Sequence, residues 1–173
     1  MGNETIDAIA EYQNDVDVSL RLYFREVSTE FSARFPGRRV DEVRFAWDQL
    51  LATRLEETDQ RSAFFVLTGL ERAFRTDYDC RCKKRLKDDL SRVFRATRKY
   101  RKARVRLDED IFEAWREKRP DLRRLIGELR SAFRFRNHLA HGRYGEPGRI
   151  YDFVSVYDLA VGVLNAFQLQ DID

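Results

Sequence analysis

Residues 133–144 read FRFRNHLAHGRY, and this stretch holds both histidines of the chain beside three arginines, an asparagine and a glycine. The apolar residues ahead of and within it, Leu122, Leu125, Ile126, Leu129, Ala132 and Phe133, recur three and four apart, and Leu139 or Ala140 continues the series. That rhythm predicts an amphipathic helix that starts near Pro120 and Asp121. Gly142 then falls where a helix most often takes its left-handed terminating residue.

The side chains gathered at the end of this helix suit phosphodiester chemistry. Arginine offers a planar, permanently charged fork that grips phosphate through two hydrogen bonds, and histidine as a residue type exchanges a proton near neutral pH. Asn137 and His141 stand four apart on one face, whereas Arg136 is five from His141, about 140° around a regular helix. Arg136 and His141 therefore diverge within one intact helix. They converge on one phosphate only if the last turn loosens or a second copy of the helix supplies the complementary group. The plainer reading is that histidine and arginine at a helix C-terminus stabilise it through the macrodipole. For His138, which shares a face with Arg134 and His141, the plain reading is the stronger one.

Arg136-Asn137-x-x-x-His141, an R-x4-H pattern with a polar residue after the arginine and followed by Gly142-Arg143-Tyr144, resembles the signature of the HEPN domain family. The likeness covers roughly residues 121–167. Members of that family are all-α proteins, many of them metal-independent endoribonucleases that dimerise to bring two such motifs together, often as toxins or antiviral effectors. The resemblance thus implies an all-α, HEPN-like helical bundle forming a homodimer that acts on RNA, with Arg136, Asn137 and His141 catalytic. Asn137 would orient His141 or bind the phosphate, and by proximity to the motif His138, Arg143 and Tyr144 would contact substrate. A tyrosine three positions after the histidine, where family toxins neutralised by nucleotidyltransferase antitoxins have it two positions after, departs from the pattern. That places antitoxin control through this residue in doubt, while leaving a defence-system partner open. The alternative within the same family is a non-catalytic module that binds RNA or protein.

Charge points to the same substrate. Residues 81–106 carry thirteen Lys or Arg against Asp88 and Asp89, a local net of +11, while residues 1–60 sum to −6. With Leu86, Leu90, Val93 and Phe94 as its apolar seam, this segment reads as a basic amphipathic helix running into a basic connector near Tyr100, and Lys83, Lys84 and Arg85 are its candidate RNA contacts. The competing reading is a solvated face paired with acidic residues of the first helix.

The 173 residues, 43% of them hydrophobic, fit a single domain over residues 1–173. The sequence has no apolar run of about 18 residues and no basic-then-apolar leader, so it predicts a cytoplasmic protein with no membrane segment. Cys80 and Cys82 are too few and too close for a disulfide framework. Together with His138 and His141 they include zinc-type ligands, but the C-x-C spacing is unlike a zinc knuckle and would consume His141, so no metal or cofactor is expected.

Working outward to the rest of the chain, Ile6, Ile9, Val16, Leu20, Phe24, Val27, Phe31 and Phe35 predict one long N-terminal helix from an Asn3 cap to Pro36-Gly37. Asp41 is the candidate cap of a second helix, and Thr58 or Asp59 the start of a third that runs through Phe74. Trp47, Phe64 and Phe65 read as core. Asp108 is the candidate cap of a short helix holding Ile111, Phe112 and Trp115. Phe153, Val156, Leu159, Val163, Leu164 and Phe167 predict the last helix.

Overall fold

Every regular element in the described residues 3–26, 40–102, 104–142 and 148–170 of the computed structural model is helical, so the fold is all-α. In chain order these are α1 (Asn3–Glu26), α2 (Val40–Lys83), α3 (Asp89–Arg101), α4 (Glu113–Lys118), α5 (Arg123–Ala140) and α6 (Phe153–Ala166). A π-helical turn, Leu107–Phe112, leads into α4, and a 3-10 turn, Pro120–Leu122, leads into α5.

Among the described residues the longest helix is the second. α2 runs 44 residues without interruption, roughly 66 Å at 1.5 Å per residue, where the sequence predicts two helices divided near Thr58 and Asp59. Both residues have other occupations. Thr58 Oγ1 donates back to the Arg54 carbonyl at 2.8 Å, a bond that a β-branched hydroxyl makes inside a continuous helix. Asp59 does act as a cap, but for a different helix: its carboxylate accepts from the Phe153 N–H at the start of α6, at 2.9 Å. With no glycine or proline between residues 40 and 68, nothing in the backbone stops the helix. α1 is described for 24 residues; Val27, Phe31, Phe35 and Pro36-Gly37 lie outside the described residues, as do the side chains of Asn3 and Asp41.

α2 forms the spine of the core. Val66, Leu67, Leu70 and Phe74 are fully buried along it, against Ile126, Leu129 and Ala132 of α5 and Val156, Ala160 and Val163 of α6. Phe74 meets Phe112 and Phe167 edge-on at 5.0 and 5.2 Å, and Trp115 closes the cluster on Phe167 at 5.0 Å. Such pairs add to the ~1.5–3 kcal/mol gained by burying each large apolar side chain. α1 lies on α2 and α6. Trp47 of α2 packs on Phe24 at 4.6 Å and donates its indole N–H to the Phe24 carbonyl at 3.0 Å, and Tyr157 of α6 donates to Asp7 at 2.8 Å.

The basic segment is two structures joined by a turn. Its first arginine, Arg81, is buried and belongs to α2, where it bonds Asp77 at 2.7 Å, Asp88 at 3.2 Å and the Gln168 carbonyl at 2.8 Å, tying in the C-terminal segment. α2 stops at Lys83, Arg85 takes a left-handed φ of 49°, and Asp88 restarts the chain by capping α3 through the Ser91 N–H at 2.9 Å. Asp88 is therefore a cap within the basic stretch rather than a stray acid. Similarly, Asp108 does not cap the short helix. Asp110 accepts from the Arg106 N–H at 2.8 Å, while Asp108 pairs with Arg130 of α5. The Ile111 N–H reaches back five residues to the Arg106 carbonyl at 3.3 Å, which widens this turn into π geometry.

Candidate active site

The motif helix ends much as its sequence predicts. Pro120 opens a single 3-10 turn, α5 runs to Ala140, His141 is its C-terminal cap, and Gly142 follows with φ +74°. The last turn stays closed: the His141 N–H bonds the Asn137 carbonyl at 3.0 Å, and the Gly142 N–H meets the Leu139 carbonyl at 3.4 Å.

That closure keeps Arg136 and His141 on separate faces. The Arg136 guanidinium turns inward to α2. Its Nη2 pairs with Glu71, its Nη1 donates to Asn137 Oδ1 at 2.9 Å, and its carbon sits 5.7 Å from the centre of the Phe64 ring. Its Nε is buried with no partner among the described residues. His141 is exposed, and the hydrogen bond it makes among the described residues is the main-chain one to Asn137. Asn137 contacts Arg136 through its side chain and His141 only through its main-chain carbonyl, so it orients the arginine rather than the imidazole. His138 is half-buried, its Nδ1 enclosed without a partner among the described residues. Arg143 and Tyr144 lie outside the described residues.

Beside the motif end, α2 and α5 enclose an open groove of about 470 Å³, walled by Phe64, Phe65, Leu139 and Ala140 with Glu57, Gln60 and Arg61 at its rim. Phe65, read from the sequence as core, is 59% exposed here, and Phe64 is half-buried and shared with Arg136. The arginine fork thus touches one wall of the groove at Phe64, and α5 ends beside it at Ala140.

Lys83, Lys84 and Arg85 are not part of this arrangement. They are exposed at and just beyond the end of α2, with Lys83 twelve residues past Glu71, or roughly 18 Å along the helix. Sequence reasoning missed Glu71, the residue that fixes Arg136. Its local signal was an i,i+4 pair with Arg75, at 2.8 Å, and the contact that matters spans 65 residues.

Among the described residues, no three His, Cys, Asp or Glu side chains come together in a way that could hold a metal ion. Cys80 and Cys82 are buried and form no disulfide. No described helix is long and apolar enough to cross a membrane. No family model, curated protein or solved structure matches the chain.

Proposed function

We propose that this chain is a metal-independent endoribonuclease of HEPN type that works as a homodimer in the cytoplasm, in the manner of a toxin or antiviral effector. The observation that carries the reading is the held Arg136 guanidinium, flanked by Asn137 and an aromatic groove, with an exposed histidine at the end of the same helix. In the reaction, His141 takes the proton of a ribose 2′-hydroxyl, whose oxygen attacks the adjacent phosphorus. Arg136 balances the charge that develops on the phosphoryl oxygens, and the 5′-oxygen of the next nucleotide leaves, taking a proton from solvent. The products are a 2′,3′-cyclic phosphate and a 5′-hydroxyl.

The closed last turn of α5 supports the two-copy form of the site. Arg136 faces α2 while His141 faces solvent, so one chain's histidine is better placed to meet the other chain's arginine across a twofold axis. The half-apolar groove beside it, with exposed Phe65, is the surface that such an axis would cover.

The pairing of Arg136 with Glu71 favours a second reading, a binding-only helical module whose arginine serves structure. Cleavage of single-stranded RNA in EDTA, present in the native chain and lost in His141→Ala, supports the enzyme. Binding without cleavage supports the module.

A further inference from the structure

We propose that a second pocket, lined by Arg75, Tyr78, Asp79, Arg98, Lys102 and Val105, is a phosphate subsite for single-stranded RNA approaching Arg136 along one stripe of α2. The proposal rests on the RNA reading above. The pocket measures about 260 Å³ and lies between α2, the end of α3 and the connector that follows it.

Three observations place it on a path to Arg136. Phe64, Glu71, Arg75 and Tyr78 are separated by seven, four and three residues, the spacing of a single helix face. The stripe therefore runs from the aromatic groove, past the Glu71–Arg136 pair, to the basic pocket. Glu71 touches both arginines, pairing with Arg136 and, at 2.8 Å, with Arg75, so one carboxylate spans the two cation sites. The Arg75 side chain also crosses to the connector, where its Nη1 donates to the Val105 carbonyl at 3.3 Å. Arg75 lies one turn from Glu71, roughly 6 Å, against roughly 18 Å for Lys83.

The electrostatics suit an anion. Three cations line the pocket, and two carboxylates offset them: Asp79 pairs with Arg98 at 3.2 Å and Glu71, beside the pocket, with Arg75 at 2.8 Å, which leaves a net positive charge. Arg98 and Asp79 are both nearly half exposed, at 44% and 48%. Exposed pairs of this kind contribute little net stability, so a phosphate oxygen can replace the carboxylate at small cost. Burial pushes the Tyr78 hydroxyl up, and it donates to the Phe94 carbonyl at 3.3 Å, so the back wall adds no negative charge. Lys102 ends α3 with φ 55°, a left-handed conformation that glycine would adopt more cheaply.

The test measures the anisotropy of a fluorescent twelve-nucleotide single-stranded RNA with His141→Ala protein across a range of KCl concentrations. Arg98→Gln with Lys102→Gln is expected to weaken binding about tenfold and to make the log-log salt slope shallower by about 1.4, near 0.7 for each lost phosphate contact. Arg98→Lys should keep the slope, and Arg124→Gln, at the far end of α5, should change neither value. If the double variant does not fold, Lys102→Gln alone should remove about half the slope change. An unchanged slope and affinity within twofold of the parent overturn the subsite. If the losses occur as stated but the native chain cleaves no RNA, the subsite stands and the catalytic reading falls. No binding by the parent overturns both.

Discussion

The carboxylate of Glu71 holds the guanidinium of Arg136 across a sequence separation of 65 residues, joining the longest helix to the end of the motif helix. Both side chains are about one-fifth exposed, enough enclosure for the pair to be only weakly screened by solvent. A double-mutant cycle of Glu71→Gln and Arg136→Gln, followed by urea unfolding, should give a coupling of about 1 kcal/mol. A coupling indistinguishable from zero would mean that the contact does not hold the arginine in solution.

If the site is built from two chains, an inactive Arg136→Ala protein mixed with an inactive His141→Ala protein should regain partial activity as subunits exchange. The mixed dimer has one intact combination of arginine and histidine. Sedimentation that finds a fully active monomer at assay concentration would refute the shared site.

How far the sequence could be read depended on how local the determining interactions are. Pro120 and Gly142 bound the motif helix because their effects act through their own backbone. The continuity of α2 was not legible: Asp59 is an ordinary capping residue by type, and only the return of Phe153 to its side shows which helix it caps. Phe65 follows the helical rhythm of its buried neighbours yet faces outward, since periodicity marks a stripe and not what covers it. The split of the basic segment turned on Arg81, which looks like part of a charged face and is in fact enclosed between Asp77 and Trp115. Glu71 acquired its place only when α5 folded against α2.

Arg81 is 7% exposed and Asp77 is fully buried. Removing one member of a buried pair strands the other, at a cost of about 3–5 kcal/mol, so Asp77→Ala should unfold at much lower urea than the parent. Arg124 also sits in an i,i+4 pair, with Glu128 at 3.1 Å, but its side chain is 92% exposed. Arg124→Ala should stay within about 0.5 kcal/mol of the parent. Equal effects from the two substitutions would contradict the burial difference.

Hydrogen bonds from Ser155, one of them from its backbone N–H at 2.8 Å, hold the Asp152 carboxyl below the usual carboxylate range at the start of α6. Because the folded value is depressed, the stabilisation is complete above the unfolded value, near pH 3.9, and is lost as pH falls through the folded one. Asp152→Ala should therefore cost about 1 kcal/mol at pH 7. Thermal unfolding should show this gap shrinking as pH falls below about 4; a gap that does not change with pH in that range would mean that the cap does not depend on charge.

The central claim is that Arg136 and His141 cleave RNA through the 2′-hydroxyl. Its most direct measurement is incubation of a single-stranded RNA in EDTA with the native chain, Arg136→Ala and His141→Ala, followed by end-group analysis, alongside the same strand with 2′-deoxyribose at the cut position. The account predicts a 2′,3′-cyclic phosphate from the native chain only, and none from the deoxy-substituted position. Cleavage that survives in His141→Ala, or that proceeds at the deoxy position, would contradict it.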